Sequence, residues 1–188
     1  MRPHLAALAL LLLSACALPA REEVALPPSF EAAGAPPSFE GMIFDMHAAF
    51  ADPSRLDAAG AARAMAELEF VAAEMGLGGP RRDLDPQAAL PLRQGRAEAR
   101  AAIGLRADAP PQAAMEALFA AAAALRAGDR GRAANALGPV SASGAAPLER
   151  LAALPALPAV QAGTTRAMLA LERRATPVFA PRRLADRS

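Results

Sequence analysis

The spacing of apolar residues along the chain predicts a helical protein. In residues 39–51, four large apolar side chains recur at helical spacing and form one stripe: Phe39, Ile43, Met46 and Phe50. Residues 112–127 carry a similar stripe in a segment that is otherwise almost all alanine: Met115, Leu118, Ala122 and Leu125. Both patterns predict helices that bury one face against a neighbour.

Start and stop signals delimit seven helical stretches. Asp52-Pro53 and Asp85-Pro86 each combine an N-cap residue with a proline that suits a first helical position. Pro91 predicts a break before the third helix. The predicted spans are about 39–51, 53–75, a helix beyond Pro91 to 103, then 111–127, 129–138, 147–154 and 163–174. Short connections favour antiparallel packing, so we expect an all-α fold, a small irregular bundle of about six or seven helices in a domain over 39–175.

The helix predicted over 53–75 has two apolar faces. Phe70 lies opposite the main face, and charged residues are confined to the flanks: Arg63, Glu67, Glu69 and Glu74. Such a helix is either central to the bundle or covered by a partner. We therefore keep both interpretations, with Phe70 as a candidate partner contact.

Composition narrows the fold class. Of 188 residues, 54% are hydrophobic, but 54 residues are alanine, which favours helix and buries little apolar area. Val, Ile and Thr total only 10 residues, too few for a sheet of ordinary size. We expect thin, alanine-lined helix contacts around a modest core.

The first residues are typical of an export signal. A short charged start is followed by an apolar run over 5–13, which is too short to span a membrane. Leu13-Ser14-Ala15-Cys16 then resembles the lipobox of bacterial lipoproteins. The resemblance implies a signal peptide over 1–15, a lipid-bearing N-terminal Cys16, and a membrane partner reached through that lipid. Ala17 is similar to the outer-membrane sorting pattern, which implies the periplasmic face of the outer membrane in the cell envelope. A plain secretory signal is the alternative.

Residues 16–38 form a predicted proline-rich linker. Pro-Pro-Ser-Phe-Glu occurs at 27–31 and again at 36–40. Because proline fixes φ and removes backbone donors, the stretch is expected to be extended, as a spacer between lipid and domain. The alternative is a tandem recognition motif in which Phe30 and Phe39 anchor a partner.

Charge is divided unevenly along the chain. Residues 16–80 hold ten acids and three arginines, whereas 81–188 hold nine acids and sixteen arginines. Arg173, Arg174, Arg182 and Arg183 are candidate contacts for an anionic ligand, the last two in an irregular basic tail over 176–188. Alternatively, the two halves complement each other within one fold. Few aromatic platforms and the export signal argue against nucleic acid as a partner.

Candidate chemistry is sparse. After the signal, His47 is the single histidine, and Asp45 points to another helix face. We find no phosphate loop and no paired metal-ligand motif, so no cofactor or metal is expected. We therefore expect a non-enzymatic, lipid-anchored periplasmic protein that binds another envelope protein. The alternative is a small-ligand or lipid-binding module using an inter-helix cavity and the Arg-rich C-terminal half. Hydrolysis by His47 with carboxylates is the third interpretation.

Overall fold

The computed structural model describes residues 22–36, 38–144 and 146–175, and these ranges are 69% helical with no strand. Eight α-helices follow in chain order: α1 (Ser29–Ala32), α2 (Phe39–Ala51), α3 (Ala58–Glu74), α4 (Ala89–Ile103), α5 (Pro111–Arg126), α6 (Arg130–Leu137), α7 (Pro147–Leu151) and α8 (Pro158–Ala175). Single 3-10 turns occupy Pro53–Arg55, Arg82–Leu84 and Gly138–Val140. The predicted small helical bundle is confirmed.

Some predictions fall outside the described residues. These are the signal peptide over 1–15, lipidation of Cys16, and the tail over 176–188 with Arg182 and Arg183. Among the helices of the described ranges, none combines the length and apolarity needed to span a bilayer.

Helix α3 is the centre of the bundle. It packs most extensively on α5 and also contacts α2, α4 and α7, while α8 packs across α4 and α2. This position explains the two apolar faces in its sequence: Met65 and Leu68 are buried, and Phe70 is half-buried against the same core. Of the two interpretations of this helix, the structure shows the central one.

Alanine lines the main helix contact, as expected. Five alanines of α3 and five of α5 are buried in the shared core: Ala61, Ala62, Ala64, Ala66, Ala72, Ala114, Ala117, Ala121, Ala122 and Ala124. Larger side chains such as Phe50 and Phe119 are fully buried in the same core cluster. Because alanine is small, the two helix backbones approach closely. This close packing compensates for the limited apolar area that each alanine buries.

The crossing of α4 and α8 depends on glycine. A Cβ added at Gly95 would lie 2.9 Å from the Cα of Val160, and one at Gly163 would lie 2.9 Å from the carbonyl oxygen of Pro91. Both positions are buried. The two backbones therefore approach more closely than alanine would permit.

Helix α3 begins five residues later than predicted. Pro53 opens only a 3-10 turn, Leu56 is extended, and Asp57 caps α3 by accepting a hydrogen bond from the Gly60 N–H at 2.6 Å. The Asp52 carboxylate instead accepts from Ser54 Oγ at 2.6 Å. Asp57, rather than the predicted Asp52, is therefore the N-cap of α3.

Prolines mark helix starts where breaks were predicted. Pro91 lies in the first turn of α4, whose N–H groups have no helical acceptors, so it does not interrupt the helix. Pro158 is the first residue of α8, which therefore begins well before the predicted start at Gly163. The end of α4 was predicted correctly, at the left-handed Gly104 (φ 75°).

The described part of the linker is docked on the bundle, contrary to the predicted extended spacer. Residues 22–36, termed the N-terminal segment, include the helical turn α1 and a fully buried Ala33. Their apolar side chains pack against the core: Val24, Leu26, Phe30 and Ala35. The side-chain amide of Gln112 in α5 accepts a hydrogen bond from the Ala25 N–H and donates one to the Ala25 carbonyl oxygen. Apolar residues between the prolines provide the surface that makes this docking favourable.

Candidate functional site

An apolar groove opens between the C-terminal end of α3 and the N-terminal half of α4, and we term it the α3–α4 groove. Its volume is about 360 Å³, within the lower part of the range of small-molecule sites. Ala72, Ala73 and Ala89 line its interior. Two leucines that also line it are unusually exposed, Leu77 at 60% and Leu90 at 52%. The groove is therefore an apolar recess with an apolar rim.

A glycine-rich turn creates one side of the groove. After α3, the chain reverses through residues 76–79, where Gly78 has a φ of 84°. A Cβ added at Gly79 would lie 2.3 Å from the carbonyl oxygen of Glu74, so this turn requires glycine there. The tight reversal leaves Leu77 projecting at the surface.

Three arginines follow one face of α4 from the groove inward, and we term Arg93, Arg96 and Arg100 the arginine ladder. The innermost, Arg100, donates to Glu69 of α3 through Nε at 2.6 Å and Nη2 at 2.8 Å. Its Nη1 donates to the carbonyl oxygens of Ala107 and Ala109 at 3.0 and 2.8 Å. The structure buries both members of this ion pair, and the sequence had placed Glu69 on a flank of its helix.

The middle arginine binds the N-terminal segment. Arg96 donates to the Glu22 carboxylate through Nη1 at 2.6 Å and Nη2 at 2.8 Å, and both residues line the polar end of the groove. The hydrogen bond from Arg96 outweighs partial burial and lowers the pKa of Glu22, which is therefore ionised at neutral pH. Together with the Glu69–Arg100 pair, this contact joins the acidic N-terminal half to the basic C-terminal half.

The outermost arginine has no such carboxylate. Arg93 lines the groove and is exposed, and within the described ranges it makes no hydrogen bond or ion pair. Its positive charge is felt by Glu22, where it helps to lower the carboxyl pKa. The three arginines and the two glutamates that they bind sum to one excess positive charge. This charge lies at Arg93, in the groove.

A second buried charged cluster lies between α2 and α3. Glu67 has no solvent-accessible surface, and neither of its oxygens accepts a hydrogen bond from an N–H or hydroxyl donor of the described residues. Burial, the charge of Asp45 and a hydrogen bond with Asp45 raise the pKa of Glu67 to about 9, against the opposing charge of Arg63. Glu67 is thus a neutral acid at pH 7. The sequence placed Glu67 on a flank of its helix, and the structure buries it completely.

His47 lies on α2, next to residues of α8. It lines a shallow cavity of about 250 Å³ with Gln161, Thr164 and Thr165, and its Nδ1 is buried without a hydrogen-bond partner. No carboxylate of the described ranges bonds to it. In the same ranges, no three His, Cys, Asp or Glu side chains come together as a metal site.

The three phenylalanines predicted to contact a partner pack within the chain. Phe39 and Phe70 meet edge to face at 6.2 Å, with the Arg81 guanidinium 4.4 Å from the Phe39 ring centroid. Phe30 packs edge to face on the buried Phe119 at 6.4 Å. Large apolar side chains that are exposed in the described part lie elsewhere: Phe44, Leu77, Leu90 and Leu169. Partner contact through the phenylalanines stays a prediction, and their rings serve intramolecular packing.

The C-terminal arginines are divided by the fold. Arg173 donates to Asp85 at 2.7 Å, beside Arg166, which also binds this nearly buried carboxylate. Burial raises the pKa of Asp85, but hydrogen bonds from Arg166 and the Gln87 backbone, with both arginine charges, lower it below its ordinary value. Arg174 is exposed near the end of α8. Arg173 therefore binds Asp85 while its side chain stays 54% exposed, and contact of Arg173 and Arg174 with an anionic ligand stays a prediction.

Sequence reasoning missed the arginine ladder. The spacing Arg93-x₂-Arg96-x₃-Arg100 places three cations on one helix face, and this pattern was available in the sequence. Its carboxylate partners were not, because Glu69 and Glu22 lie 31 and 74 residues away along the chain.

Comparison of the chain with family models, curated proteins and solved structures gives no match. Function must therefore be inferred from the groove and its charged neighbours.

Proposed function

We propose that this chain is a lipid-anchored, non-enzymatic binding protein of the bacterial cell envelope, and that the α3–α4 groove is its binding site. The main observation in favour of this site is the recess itself. Leu77 and Leu90, each more than half exposed, lie beside an interior lined by alanine. Exposed apolar surface around a recess of this size is typical of ligand and partner sites.

The position of Glu22 supports a connection between anchor and groove. Arg96 fixes Glu22 at the polar end of the groove, and Cys16 precedes it by six residues. Six residues span at most about 20 Å. A lipid on Cys16 would therefore hold the groove close to the membrane surface.

The anchor is tested by replacing the cysteine. We expect Cys16→Ala to abolish incorporation of labelled palmitate and to move the protein from the membrane fraction to the soluble fraction. Ala20→Ser, outside the lipobox, serves as the matched control and should remain in membranes. An unchanged membrane fraction for Cys16→Ala would reject the anchor.

The groove is tested by photo-crosslinking in cells. A photoreactive residue at position 77 or 90 should give a discrete adduct whose mass identifies a protein or a lipid. The same residue at position 169, an exposed leucine on α8, is the control and should give none. Equal adducts at all three positions, or none at 77 and 90, would show that the groove is not the binding site.

A protein partner that docks on α2 is the second candidate. Phe44 is 50% exposed, and Ala48 and Ala51 are exposed at the following turns of the same helix face. This stripe is favoured if crosslinkers at position 44 give protein adducts while positions 77 and 90 give none.

A further inference from the structure

The arginine ladder repeats one interaction at successive turns of α4. Arg100 and Arg96 each hold one carboxylate through two N–H donors, and Arg93 stands at the next position outward with no carboxylate in the described ranges. Arginine forks bind carboxylates bidentately with high geometric preference. The third position has the same donor type and opens into the groove.

We propose that the α3–α4 groove binds a long-chain carboxylate, with the unbranched apolar chain between Leu77 and Leu90 and the head group on Arg93. This proposal rests on the proposed function of the groove as the binding site. Charge complementarity selects the head: the ladder has three arginines and two bound glutamates, and one further anion balances it. The alanine interior selects the apolar chain.

The volume of the recess fits a single small ligand. About 360 Å³ lies in the lower part of the range of small-molecule sites. Glu22 shows how the head is held, because its carboxylate already binds a ladder arginine at the same end of the groove. The ligand carboxylate lies beside Glu22, on the arginine that Glu22 leaves open.

The test uses purified full-length protein and isothermal titration calorimetry with three probes. Decanoate has both chain and head, 1-decanol has the chain without charge, and butyrate has the head without the chain. We expect decanoate to bind, 1-decanol to bind about tenfold more weakly, and butyrate to show no binding. The factor is that of one hydrogen bond to a charged group.

Variants locate the site. Arg93→Ala should weaken decanoate binding about tenfold without changing 1-decanol binding, and Leu90→Asn should weaken both probes. Arg132→Ala is the matched control, because Arg132 is an exposed arginine of α6 whose side chain has no partner in the described ranges. Thermal unfolding checks that each variant is folded. Photoreactive decanoate on the unaltered protein should label residues within 72–77 and 89–93, which tests the location without any substitution.

The contrary outcomes are distinct. Equal decanoate affinity for Arg93→Ala and the original protein, or equal affinity for decanoate and 1-decanol, would overturn the head contact. Labels outside the groove would overturn the location. Failure of decanoate to bind keeps the groove as a binding site in two cases: positions 77 and 90 crosslink a protein, or phosphatidylglycerol vesicles bind through Leu77 and Leu90. Either result would show that the proposed long-chain carboxylate ligand is wrong. Failure of decanoate together with absent crosslinks would reject both proposals.

Discussion

Arg100 and Glu69 form a bidentate ion pair in the interior, where their side chains are 7% and 3% exposed. The pair joins α4 to α3, and the remaining Arg100 donor holds the carbonyl oxygens of Ala107 and Ala109. Transfer of both charges from water is costly, and their mutual hydrogen bonds offset that cost only while both are present.

Loss of one partner should therefore be severe. We expect Arg100→Leu to lower the free energy of unfolding by about 3–5 kcal/mol, because the buried Glu69 loses both hydrogen bonds from Arg100 and keeps only Arg96 at 3.9 Å. The double variant Glu69→Gln with Arg100→Leu should be less destabilised than the sum of the two single variants. Urea unfolding followed by circular dichroism measures all three, with Arg106→Leu at an exposed arginine as the control. Additive effects would show that the pair contributes no coupling.

The buried Glu67 predicts that stability falls as pH rises. Its pKa is about 9 in the folded protein and 4.5 when unperturbed, so the folded state binds this proton more tightly than the unfolded state. The contribution is fully present below about pH 4.5 and is lost towards pH 9, with a slope approaching about 1.4 kcal/mol per pH unit. Asp45 and Arg63 are the charged groups that face it.

Glu67→Gln tests this dependence, because glutamine mimics the neutral acid. Urea unfolding at intervals from pH 5 to pH 9 should show a much flatter profile for this variant and higher stability than the original protein at the alkaline end. Glu149→Gln replaces an exposed glutamate and should leave the profile unchanged. Identical slopes for Glu67→Gln and the original protein would contradict the assignment.

The glycines at the α4–α8 crossing predict an unusual cost for alanine. Gly163→Ala places a Cβ 2.9 Å from the Pro91 carbonyl oxygen, against backbone that cannot yield without moving the helix. We expect a loss of about 1–3 kcal/mol in thermal or urea unfolding. Gly131→Ala in α6 is the matched control, since its nearest neighbour would be 3.6 Å away and alanine favours helix by about 0.5–1 kcal/mol. Stabilisation by both substitutions would argue against the close crossing.

Asp85 is expected to hold the C-terminal part of α8 in place. Its carboxylate binds Arg166 and Arg173, so Asp85→Asn should speed amide hydrogen exchange over 166–175 and cost about 1–3 kcal/mol. Because the folded state lowers the pKa of Asp85, this contribution to stability is fully present above about pH 3.8. It is lost as the pH falls through the folded-state pKa. Asp83→Asn, at a 90% exposed neighbour, should leave exchange in α8 unaltered.

Local signals predicted most of the helices because they act over three or four residues. Asp129 caps α6 through the Arg132 N–H, and the ends of α2 and α4 lie where glycine, proline and the apolar stripe placed them. Errors arose where two signals of the same kind competed. Asp52 and Asp57 are both good N-caps, and only packing of the chain decided that α3 starts after the second.

The candidate site was less accessible to sequence reasoning. Exposure of Leu77 and Leu90 depends on which neighbours cover them, and a single sequence does not give those neighbours. Phe70 was a candidate because it lies opposite the main apolar face of its helix, and Phe30 and Phe39 were candidates because each belongs to one copy of the Pro-Pro-Ser-Phe-Glu motif. The fold pairs these rings with other phenylalanines.

The sequence by itself determined an all-α chain with thin, alanine-lined contacts, because helix propensity and apolar period are local properties. The tertiary structure decided which charges are buried and which are left open. Glu22, Glu69 and the arginine ladder meet across 31 to 74 residues of chain, and only the packing of α3, α4 and the N-terminal segment brings them together. That packing leaves Arg93 without a bound carboxylate at the edge of the groove, since no third acid of the described ranges lines it.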